Sequence, residues 1–92
     1  MIAETIREFV VGEFFAGREP PLLRSDTKLV STGVVDSVGT MRLVLFLEER
    51  FGILIQAEDI STGGLDTLDA MTALVERRQA ARAFDPQRQD GA

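Results

Sequence analysis

Apolar residues recur at steps of three and four from Ile2 through Ile6, Phe9 and Val10 to Phe14. This spacing predicts an amphipathic helix over residues 2–15, closed by Gly17. The period is then lost. From Gly17 to Asp36 the chain carries Pro20, Pro21, Ser25, Asp26, Ser31, Thr32 and Gly33, which predicts a long loop pinned to the core by Leu22, Leu23, Leu29, Val34 and Val35. Loops of this length in compact domains usually have a purpose. Periodicity returns at Asp36 or Ser37, either a good N-cap, and carries a second helix to about Arg50 with Gly52 as its stop. Leu43, Leu47 and Phe51 form its core stripe. Val38, Met41, Val44, Leu45 and Phe46 make the rest of its circumference more apolar than one buried face needs, so part of it is expected to meet a partner or ligand. Ala57 to Ile60 fits a single short turn. A final helix starts near Asp66 or Thr67, either of which can cap it, with the stripe Leu68, Met71, Leu74 and Val75. Ile53 to Ile55 has the composition of a strand, but a lone strand has nothing to pair with.

The expected fold is all-α: a four-helix bundle of three main helices and one short one, with a long loop between helices 1 and 2. With 92 residues, 45% of them hydrophobic, the chain fits one domain over residues 1–83 and a frayed tail over 84–92. A domain of this size buries only about 60% of the surface its unfolded chain exposes, which favours a surface site over an enclosed one. There is no cysteine and no histidine. A thiolate nucleophile is therefore absent, and so are the commonest general base and metal ligand. No catalytic residue and no metal site are expected.

The net charge of −5 argues against nucleic acid and anionic membrane as partners. Acids outnumber bases two to one over residues 1–69, and the balance reverses over 70–92. The longest apolar run, Leu43 to Leu47, is far too short to span a membrane. Glu4, Arg7 and Glu8 interrupt the stretch in which a signal peptide needs an apolar core, so a cytoplasmic location is expected.

The candidate site is the string from Leu29 to Val38, which sets Ser37 after a loop and at the positive end of a helix. An anion attached to that serine would be stabilised by the helix dipole and by free backbone N–H groups. Gly33 can supply a turn that residues with a Cβ resist. No basic neighbour in sequence activates Ser37, so it reads as an acceptor for a group delivered by another enzyme. The plain alternative is that Asp36 and Ser37 only cap the helix.

Four landmarks narrow the choice: Asp26-Thr-Lys-Leu29, Gly33-Val-Val-Asp-Ser37, the run Leu43 to Ile53, and Leu65-Asp-Thr-Leu68. In order and spacing, from about Ile2 to Arg78, the chain resembles the acyl and peptidyl carrier protein family. The resemblance implies a four-helix bundle in which Ser37 receives 4′-phosphopantetheine from coenzyme A through a magnesium-dependent phosphopantetheinyl transferase. Asp36 matches the residue that assists the transferase metal, and the arm ends in a thiol that holds cargo as a thioester. The sulfur that this sequence lacks would be imported. Other implied partners are a ligase that loads acyl or aminoacyl groups and a downstream condensing enzyme or acyltransferase. Val38, Met41, Arg42, Leu45, Glu48, Glu49 and Ile60 are the candidate partner-binding residues.

The match has departures. Many fatty-acid carriers place leucine and then acidic residues after the serine, whereas this chain has Val38-Gly-Thr-Met-Arg42. Arg42 is read either as a surface residue paired with helical neighbours or as a selector of partners. Gly39 costs a helix about 1 kcal/mol relative to alanine, which implies close approach by a partner or by the arm. Phe46 stands where small residues are common, either enlarging the core or filling space that a long acyl chain would need. The favoured reading is a stand-alone carrier in a dedicated pathway. The alternatives are a housekeeping carrier of fatty-acid synthesis and an unmodified helical interaction module.

Overall fold

In a computed structural model, residues 1–18 and 23–83 are described. Among them the chain forms α1 (Ile2–Phe14), α2 (Ser37–Phe51), α3 (Ala57–Ser61) and α4 (Leu68–Ala83), with no strand. Residues 53–55 form no strand, as expected. The proposed tail, 84–92, and Leu22 in the loop lie outside the described residues.

The three long helices pack on one another, α1 and α4 most extensively. Ile6 and Val10 of α1, Leu43 and Leu47 of α2, and Met71, Leu74 and Val75 of α4 are all essentially inaccessible to solvent. These are the positions the helical period selects, because only residues three or four apart share one face. At the α1/α2 seam the rings of Phe9 and Phe46 stack with centroids 4.0 Å apart. Phe14 and Phe51 meet this pair edge-on. Phe46 is thus half-buried and packed against the core.

Hydrogen bonds and buried side chains tie the long loop to the bundle. Arg7 donates to the Leu23 carbonyl at 3.2 Å, the Asp69 N–H donates to the Ser25 carbonyl at 3.0 Å, and Leu23, Leu29 and Val35 are buried. Val34 does not join them. It is exposed, because its neighbour Val35 takes the inward direction and successive side chains in this non-helical segment diverge.

The short α3 is held to α4 by Asp59. Its carboxylate accepts the Gln56 N–H at 2.8 Å and two contacts from the Arg78 guanidinium at 2.7 Å. Burial alone would raise the pKa of Asp59, but the Gln56 hydrogen bond and the Arg78 charge outweigh it and hold the group below its ordinary value.

Candidate functional site

Asp36 is the N-cap of α2: its Oδ1 accepts the Gly39 N–H at 2.7 Å, and its carbonyl accepts the Thr40 N–H at 2.8 Å. Ser37 is consequently the first helical residue. It is exposed, and its hydroxyl makes no hydrogen bond among the described residues. The cap uses one of the four N–H groups that a helix start leaves over, while those of Ser37 and Val38 keep no intrahelical acceptor. Asp36 Oδ2 also accepts nothing among the described residues. Capping and availability therefore fall on different residues: Asp36 caps, and Ser37 is free.

The loop before Ser37 is folded on itself. Gly33 sits at φ 85°, where a side chain is strained although the space around it is open, so the demand for glycine is conformational. Its N–H donates to the Val30 carbonyl at 3.1 Å, and the Val35 N–H donates to the Leu29 carbonyl at 2.9 Å. At the base of this loop, Asp66 Oδ1 accepts the N–H groups of Leu29, Val30 and Ser31 at 3.1, 2.8 and 3.0 Å. Partial burial would raise the Asp66 pKa, yet the bonds from Ser31, Val30 and Leu29 outweigh it and hold the carboxyl below its usual value. Only one of the two expected caps serves α4: Thr67 Oγ1 accepts the Ala70 N–H at 2.9 Å, leaving Asp66 to the loop. Nothing in local sequence marks this role, because its partners lie more than thirty residues away.

Gly39 is buried. A Cβ there would stand 2.8 Å from the Phe14 ring and 3.2 Å from both Asp36 Oδ1 and Val35. The close approach inferred from sequence is real, but the approaching group is the chain's own α1 and cap rather than a partner or an arm.

The surplus apolar residues of α2 face outward. Val38, Met41 and Leu45 are 62%, 58% and 54% exposed, at the i, i+3, i+7 spacing of a single stripe that starts beside Ser37. Val44 is buried instead. Arg42 Nη1 meets Glu13 Oε2 of α1 at 2.6 Å, so its pair is across helices and not with a neighbour on its own helix. An ion pair this exposed contributes about 0.2–1 kcal/mol. Its charge is also partly answered within the chain, which weakens it as a selector of partners. Glu48 is half-buried and accepts the Ile55 N–H at 3.0 Å, whereas Glu49 is exposed. Ile60 of α3 is half-buried and lines a cleft of about 210 Å³ with Val30, Ser31, Leu65 and Asp66. Among the described residues there is no cluster of three or more metal-binding side chains, and no helix is long and apolar enough to cross a membrane.

Among the described residues there are four helices and no strand, the third helix a single turn, an arrangement consistent with a small helical carrier protein fold. Sequence comparison agrees. The D-alanyl carrier proteins of Lacticaseibacillus casei (strain BL23) and Lacticaseibacillus rhamnosus are each 35% identical to this chain over 54 residues, 59% of this chain and 67% of theirs. No family model matches. The chain belongs to the carrier protein family.

Proposed function

We propose that Ser37 is the attachment point of a 4′-phosphopantetheine arm and that the protein carries a small acyl or aminoacyl group for a dedicated biosynthetic pathway. The observation that carries this reading is the placement of Ser37: exposed, unbonded, and first in a helix whose cap is supplied by the residue before it. The arm, when bound, supplies the thiol on which cargo is held as a thioester. Ser37 Oγ has no base beside it, so the transferase removes its proton as the oxygen bonds phosphorus and the nucleotide part of coenzyme A departs. Asp36 Oδ2, left over while Oδ1 keeps the cap, would be available to the transferase's magnesium, and the N–H groups of Ser37 and Val38 would be available to the oxygens of the phosphodiester. Gly33 shapes the loop that leads to the serine.

The protein is on this reading a substrate of other enzymes and not itself an enzyme. Val38, Met41 and Leu45 form the docking stripe, with Arg42, Glu48, Glu49 and Ile60 around it, and a phosphopantetheinyl transferase, a loading ligase and a downstream condensing enzyme or acyltransferase dock in turn. The relatives are named for a D-alanyl group, and a cargo of that size suits a bundle in which Phe46 and Phe9 fill the α1/α2 seam.

A matched pair of loaded proteins tests the reading. A broad-specificity transferase and acyl-coenzyme A donors can install either an alanyl or a long-chain acyl arm. Thermal stability and thioester hydrolysis are expected to be the same for both. A long chain that raises Tm and slows its own hydrolysis would show a lipid-sheltering pocket and favour the fatty-acid alternative. Failure of several transferases to modify the protein would favour the unmodified interaction module, for which the exposed stripe on α2 is the supporting observation.

A further inference from the structure

We propose, resting on the assignment of Ser37 as the modified serine, that Asp66 is a positioning residue: its carboxylate gathers the N–H groups of Leu29, Val30 and Ser31 and so sets the loop that presents Ser37 to the transferase. Three donors converge on one oxygen within 3.1 Å. Such convergence suits a full negative charge, because charge-assisted hydrogen bonds are about twice as strong as neutral ones. An asparagine of the same shape keeps an acceptor there but loses the charge. The Asp66 carbonyl also accepts the Leu29 N–H, at 2.8 Å, so backbone and side chain hold the same end of the loop.

From that anchor the geometry runs to the site without a gap. Thr32 Oγ1 donates to the Lys28 carbonyl at 2.9 Å, Gly33 turns back onto Val30, and the Val35 N–H closes onto Leu29. Leu29 and Val35 are both buried, so the two ends of the 29–35 segment are fixed side by side. Asp36, the cap of α2, follows Val35 directly, and Ser37 follows Asp36. Free of capping duty because Thr67 performs it, Asp66 links the start of α4 to the loop that leads into α2.

Removing the anchor lowers the fraction of molecules whose loop is set for docking. If binding requires that state, the apparent KM for the carrier rises by the inverse of the fraction, and kcat is unchanged once the complex forms. The experiment measures phosphopantetheine transfer from coenzyme A, with a broad-specificity transferase, to wild type, Asp66→Asn, Asp66→Ala and Thr67→Ala. Amide hydrogen exchange of residues 29–35 is followed in the same four proteins.

Asp66→Ala is expected to raise KM about tenfold with kcat within about twofold, and Asp66→Asn to raise it less. Both should speed exchange in residues 29–35. Thr67→Ala removes the α4 cap, lowers Tm, and should change neither reading. An unchanged KM in the Asp66 variants overturns the proposal, as does a rise in Thr67→Ala equal to that in Asp66→Ala. If Asp66→Ala does not fold, Asp66→Asn decides. If the wild type itself accepts no phosphopantetheine, the assignment of Ser37 fails, and the exchange data still decide whether Asp66 holds the loop.

Discussion

Asp59→Ala should lower Tm by roughly 10–20 °C, because each kcal/mol lost from a domain of this size shifts Tm by about 4–8 °C. Asp59 is buried, and its carboxylate serves the Gln56 N–H and the Arg78 guanidinium together. Removing one member of a buried pair typically costs about 3–5 kcal/mol, since the other is left without its partner. The Arg78 side chain keeps 32% of its exposure and can recover some hydration, which brings the expected loss to about 2–3 kcal/mol. The same contact gives acid sensitivity with a definite sign. In the folded chain the Asp59 carboxyl lies below the 3.8 of the free group. Its contribution is therefore complete above that value and is lost as pH falls through the lower folded value. Asp66 acts in the same direction. Urea unfolding at stepped pH should show wild-type stability falling steeply in acid and a shallower fall in Asp59→Asn. Parallel acid limbs would contradict the account of this pair.

Leu47→Ala and Leu45→Ala should differ sharply although the residues lie two positions apart on one helix. Leu47 is fully buried, and truncating a buried leucine costs about 2–5 kcal/mol through lost transfer energy and the cavity left behind. Leu45 is 54% exposed, and a surface substitution usually stays within about 0.5 kcal/mol. Partner assays should show the opposite order. Transfer and loading are expected to weaken with Leu45→Ala and with Met41→Ala at unchanged Tm, because both remove apolar area from the stripe beside Ser37. Equal stability losses at positions 45 and 47 would mean that the two faces of α2 have been assigned wrongly.

Helix existence and the core were legible in the sequence because they depend on local period: the stripes through Leu43 and Leu47, and through Leu68, Met71, Leu74 and Val75, are buried as the spacing requires. The stop at Gly52 and the turn at Gly33 were legible for the same reason, each being a local backbone demand, and so was a cap at Asp36 or Ser37, of which the structure uses Asp36. What could not be read was the identity of distant partners. Arg42 meets Glu13 of another helix, Gly39 makes room for Phe14, and Asp66 serves a loop far back in the chain. Val34 and Val35 are the same residue type side by side, and only packing decides which turns inward.

The most direct test of the central claim is to incubate the protein with coenzyme A and a phosphopantetheinyl transferase, then measure intact mass and fragment the peptide containing residues 29–42. The account predicts a mass gain of one phosphopantetheine, located on Ser37, and none in Ser37→Ala that circular dichroism shows to be folded. Modification at another serine, or equal modification of the Ser37→Ala protein, would contradict it.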